Sequence, residues 1–61
     1  MVNYRTLKVG DKVHFHAEEF DGTSDWDGTI TKTESDHAIM GTADGDSYWI
    51  DDDTADMFYR R

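Results

Sequence analysis

Residues 47–61 read SYWIDDDTADMFYRR. Tyr48, Trp49 and Ile50 make a β-prone apolar run that ends on three adjacent carboxylates, Asp51, Asp52 and Asp53. Three consecutive Asp in a strand would alternate faces and could not converge on one ion. No glycine follows them to shape a calcium loop. The stretch DDDTAD (51–56) is too short and too polar for an α-helix. It suits a single 3₁₀ turn, with Asp52 or Asp53 capping the free N–H groups. MFYRR (57–61) then reads as a short last strand. A strand, a capped turn and a final strand place the chain in an all-β fold.

The rest of the chain agrees. In KVHFHA (12–17), Val13, Phe15 and Ala17 alternate with Lys12, His14 and His16. In WDGTITKT (26–33), Trp26, Gly28 and Ile30 alternate with Asp27, Thr29 and Thr31. This period of two marks strands with one covered face. HAIMGTA (37–43) is a further β-prone run, and the chain has no proline. Between the first two strands EEFDGTSD (18–25) reads as a long polar loop, and ESD (34–36) as a turn. Asp44-Gly45 between β runs favours a two-residue type I′ hairpin.

Sixty-one residues allow one domain, residues 1–61, with 1–6 as a loosely ordered lead-in. A chain of this size buries only about 60% of its unfolded surface. Without cysteine it has no disulfide staple and no Cys-based zinc site. Its core must come from the eight aromatics, three Met and a few Val, Ile and Leu. MVNYRTLKVG shows no export signal and nothing long enough to span a bilayer, so a cytoplasmic protein is expected. The net charge is -8. Residues 18–56 hold thirteen acids against Lys32 alone, while Arg5, Lys8, Lys12, Arg60 and Arg61 lie near the ends. Such a surface repels nucleic acid and anionic membranes and attracts basic partners.

VGDKVHF (9–15), WDGTI (26–30) and the turn before MFYRR resemble the SH3-like small barrels, including KOW and Tudor domains, over residues 7–61. The resemblance implies a five-stranded barrel with a long first loop and a 3₁₀ turn before the last strand. The plan is also similar to the type II dihydrofolate reductases. That family's late strand carries a Val-Gln-Ile-Tyr run facing a tetramer pore, whereas this chain has SYWIDD (47–52). Acids stand where folate and cofactor phosphates would bind, so the resemblance implies the architecture without the activity.

TSDWDGTITKTE (23–34) matches a calcium loop at several positions, with Asp25, Asp27 and Glu34 as ligands and Gly28 and Ile30 in register. Thr23 stands where the first Asp belongs, and the flanks read as strands rather than helices. His14 and His16, two apart, share a strand face and could hold zinc or nickel with Glu18 or His37. The plainer reading is two exposed histidines on a polar face, with no cofactor bound. Catalysis has little support: Ser24, Ser35 and Ser47 sit in turn-like contexts and no phosphate loop exists. Tyr48, Trp49, Phe58, Tyr59 and Trp26 could form an aromatic cage for a methylated side chain. A barrel this small needs most of them inside. Ile50 is better spent in the core, which puts Trp49 outside.

The resulting expectation is a non-enzymatic acidic protein that docks on a basic surface, that of a nucleic-acid-binding protein, as an inhibitor or nucleic-acid mimic of the phage-encoded kind. Asp44, Asp46, Asp51, Asp52, Asp53 and Asp56 would carry the contact, with Trp49 as apolar anchor. A Tudor-like reader of cationic peptides is the alternative. A third reading is an accessory domain whose acids serve solubility or a salty cytoplasm. A homodimer is compatible with each.

Overall fold

The computed structural model describes residues 2–61. The described residues form five strands: β1 (Lys12–Glu19), β2 (Gly22–Thr33), β3 (Ala38–Gly41), β4 (Ser47–Ile50) and β5 (Phe58–Arg60). They make one antiparallel sheet in the order β4-β3-β2-β1-β5. Two 3₁₀ turns, Tyr4–Thr6 and Ala55–Met57, complete the elements. No helix among the described residues is long and apolar enough to cross a membrane.

Alternation decides which face is covered. Val13 on β1, Ile30 on β2, Ala38 and Met40 on β3, Ile50 on β4 and Phe58 on β5 are all buried. Phe15 lies beside them, stacked on Tyr48 at 5.3 Å and tilted against Phe58 at 5.1 Å. The register explains the assembly: Phe15 pairs with Phe58, Ile30 with Met40, and Met40 with Tyr48. Paired residues share a face, so each strand adds to one apolar layer. The register of β2 against β3 shifts at Thr31, between Ile30 and Lys32. An extra residue there bends a strand and increases its twist.

Residues 2–7 pack on the core through three of their side chains. Val2, Tyr4 and Leu7 are buried. The Asn3 side chain accepts the Arg5 N–H, and the Val2 N–H donates to the Ala55 carbonyl. This first segment thereby covers the turn that precedes β5.

Three local expectations are corrected. Residues 18–25 are not a long loop: β1 and β2 run on as a hairpin, paired from Lys12 opposite Thr29 to Glu19 opposite Gly22. Only Phe20 and Asp21 connect them. The chain gains backbone pairing along this ribbon, which a polar loop would lack. The β3–β4 link is not a two-residue type I′ turn. Gly45 has a φ of +93° but Asp44 does not take positive φ. The Gly45 N–H donates to the Thr42 carbonyl, and the Thr42 N–H to the Asp46 carbonyl. This is the three-residue loop in which glycine supplies the left-handed position. Finally, Asp51 holds the turn before β5, not Asp52 or Asp53. Its Oδ1 accepts the N–H groups of Asp53 and Thr54, at 2.9 and 3.1 Å.

Candidate functional site

Centring the hairpin on Phe20 and Asp21 sets His14 opposite Asp27 and His16 opposite Asp25. Val13 and Phe15 turn inward, so these four side chains share the outer face. Two imidazoles and two carboxylates therefore meet on adjacent strands.

His14 lies between both acids. Its Nδ1 is 2.7 Å from Asp27 Oδ1 and its Nε2 is 2.8 Å from Asp25 Oδ1. His16 Nδ1 is also 2.8 Å from Asp25 Oδ1. Arg61, just beyond β5, donates from Nε and Nη2 to the two oxygens of Asp27, at 3.0 and 2.9 Å. The charges respond accordingly. Hydrogen bonds to Asp27, then Asp25, raise the pKa of His14. Asp25 is lowered first by His16 and then by His14. Asp27 is lowered first by Arg61 and then by His14. The His14 side chain is 25% exposed and that of Asp25 48%, so the cluster is open to solvent on one side.

The calcium-loop reading of residues 23–34 does not survive this geometry. Residues 22–33 are one strand, so Asp25, Asp27 and Glu34 cannot wrap around an ion. Glu34 pairs instead with Lys32 at 3.3 Å. The histidine pair also has other companions than expected. Neither Glu18 nor His37 joins it; Asp25 and Asp27 do. His37 is stacked on Trp49, with ring centroids 3.5 Å apart and planes at 11°.

The acidic residues near the C-terminus divide into two groups. Asp51 is held by its own turn and accepts the Trp49 Nε1–H at 3.1 Å. Asp52 pairs with Arg5 at 3.2 Å. Asp44, Asp46, Asp53 and Asp56 are exposed and, among the described residues, have no Lys or Arg within ion-pair distance. Trp49 is 53% exposed, on the outer face as expected. The five aromatics do not converge on a cage, because Phe58 is buried and Tyr48 is stacked on Phe15 against the core.

A second acidic locus lies at the hairpin tip. Residues 16–19 of β1 and 22–25 of β2 pair only with each other, since β5 reaches Val13 to Phe15 and β3 pairs with β2 only from Thr29 onward. At the end of this ribbon Phe20 is fully exposed between Glu18, Glu19 and Asp21.

Neither the tip nor the His–Asp cluster follows from the composition. The cluster had a signal, namely two His two apart and two Asp two apart across a short connection. Its recognition required reading Phe20-Asp21 as the turn. Comparison with protein families, with curated proteins and with solved structures finds no match to this chain.

Proposed function

We propose that this protein is a non-enzymatic acidic binding protein that docks on a basic surface of another protein, one that itself binds nucleic acid. The observation that carries this reading is how the ion pairs are distributed. Arg5, Lys32, Arg60 and Arg61 are each matched to an acid. Asp44, Asp46, Asp53 and Asp56, with Glu18, Glu19 and Asp21 at the hairpin tip, have no such cation among the described residues. Carboxylates already paired offer little to a partner; unpaired ones attract a surface built to hold phosphates. Trp49 and Phe20 are the apolar anchors beside them, aromatic residues of the kind enriched at interface cores. Asp51 and Asp52 drop out of the contact set, the first committed to its turn and the second to Arg5. In this reading the protein acts as an inhibitor or nucleic-acid mimic. We further infer a small SH3-like barrel, supported by β5 lying along β1 and the 3₁₀ turn ahead of it.

The test starts from affinity capture in a host lysate and continues with the purified captured protein. Binding should weaken at least tenfold between 0.05 and 0.5 M NaCl, on the order expected when several charges are screened. Asn at positions 44, 46, 53 and 56 together should reproduce that loss at low salt, and double-stranded DNA should compete. Binding indifferent to salt and to the fourfold substitution would overturn the reading.

A further inference from the structure

We propose that His14, His16 and Asp25 form a binding site for one divalent transition-metal ion, with Asp27 as the residue that orients His14. This stands independently of the docking surface, since none of its groups is among the unpaired acids.

The ligand atoms come first. One atom from each of the three side chains lies within 4.8 Å of the others. Around a tetrahedral zinc with bonds of about 2.0–2.1 Å, neighbouring ligand atoms stand about 3.4 Å apart. Asp25 Oδ1 is 2.8 Å from both His14 Nε2 and His16 Nδ1. Admitting an ion requires this exposed carboxylate to retreat by roughly half an ångström. β1 and β2 already hold both rings opposite the carboxylates.

The surroundings of the His14 ring suit a metal ligand. A neutral imidazole carries a single N–H and one lone pair. Asp27 Oδ1 lies 2.7 Å from Nδ1, placed to take that N–H and leave Nε2 as the ligand atom. With an ion bound, Nε2 would give it its lone pair, and Asp25 Oδ1, 2.8 Å from Nε2, would be the neighbouring ligand atom. His16 directs a further ring nitrogen at the same oxygen.

The support behind the ligands fits the same role. Metal-bound histidines commonly donate their other N–H to a carboxylate, which fixes the tautomer and the ring. Asp27 is placed to do this for His14, and Arg61 holds Asp27 from the far side through two hydrogen bonds. The two nitrogen ligands favour zinc, nickel, copper or cobalt over calcium and magnesium, which prefer all-oxygen shells. Solvent exposure of His16 and Asp25 leaves room for water in the remaining position. The arrangement therefore suits an exchangeable ion rather than a closed structural one.

Isothermal titration of the full chain with zinc chloride is the test, with calcium chloride as comparison. The expected result is one zinc per chain and no calcium response. His16→Ala and Asp25→Asn should each weaken binding at least tenfold. Asp27→Asn, which touches no ion, should weaken it about 10- to 100-fold. His37→Ala should leave it unchanged. In carbon-13 spectra the ring signals of His14 and His16 should move on zinc addition while those of His37 stay. Circular dichroism of each metal-free variant separates lost binding from lost fold. Folded wild-type protein that takes up no zinc at 0.1 mM would overturn the site. So would uptake that survives both His14→Ala and His16→Ala.

Discussion

One absent methyl group decides how closely two strands can meet at position 28. A Cβ on Gly28 would stand 2.6 Å from Met40 Cγ and 2.7 Å from the Gly41 carbonyl oxygen. Met40 is fully buried, and the Gly41 oxygen is backbone, so neither can yield freely. Gly28→Ala should therefore destabilise the fold by about 1–3 kcal/mol, the usual cost of overpacking a core. Urea unfolding would register it as a lower midpoint at unchanged slope; a midpoint equal to wild type would mean that β3 can move away. The alternation of Trp26, Gly28 and Ile30 already places this residue on the covered face. What it lacks is the reason for glycine, which depends on β3 lying across it. The same holds at position 51. Three adjacent Asp look interchangeable as caps, and only the path of the chain selects Asp51, whose carboxylate can reach both the following N–H groups and the Trp49 indole.

At the scale of elements, the strands were legible because each carries its own period. β3, β4, β5 and the 3₁₀ turn before β5 fall within runs that alternation and turn residues mark, as do residues 12–17 of β1 and 26–33 of β2. The hairpin tip was not, because Glu18, Glu19, Phe20, Asp21 and Gly22 have the composition of a loop. Cross-strand pairing keeps the surrounding residues extended, and that information lies in two segments at once. The His–Asp cluster disappeared from view with the hairpin. β5 poses a related problem: three residues on a sheet edge are little to hold in place. Arg60 supplies an anchor, donating to Asp11 Oδ2 at 3.0 Å and to the Thr6 carbonyl and hydroxyl. The same Asp11 oxygen accepts the Lys8 N–H at 2.9 Å. The Lys8 N–H, and after it Arg60, hold the Asp11 carboxyl below its ordinary pKa. A carboxyl whose pKa is depressed on folding stabilises the native state above its unfolded pKa of about 3.9. That contribution is lost as pH falls through the lower folded value. Asp11→Asn should thus be less stable than wild type at pH 7, with the gap closing below about pH 4. Unfolding curves for both proteins from pH 7 down to pH 3 would measure it, and a gap that widened in acid would contradict the assignment.

Across the whole molecule the balance of charge sets a further expectation. Fourteen acids face six Lys and Arg in a body with a radius of gyration of 10.8 Å. Most acids cannot find a cation at that ratio, so like-charge repulsion is distributed over the surface. The ion pairs present do little to offset it: Arg5–Asp52 and Arg61–Asp27 are more than half exposed, and such pairs contribute about 0–1 kcal/mol. Added salt weakens both terms, since the screening length falls to about 8 Å at 0.15 M and about 3 Å at 1 M. The repulsion has more to lose, because it sums over many separated acids while each pair is a single short contact. Unfolding relieves the repulsion at low salt, and screening removes that relief. The melting temperature at pH 7 should accordingly rise as sodium chloride goes from 0.02 to 0.5 M. At pH 4, where many carboxyls are protonated, the rise should shrink. The same titration with the fourfold Asn substitution at 44, 46, 53 and 56 should start from a higher melting temperature and respond less. A melting temperature that fell with salt would mean instead that the four Lys and Arg pairs outweigh the unpaired acids, and that the acidity of this surface carries no cost in stability.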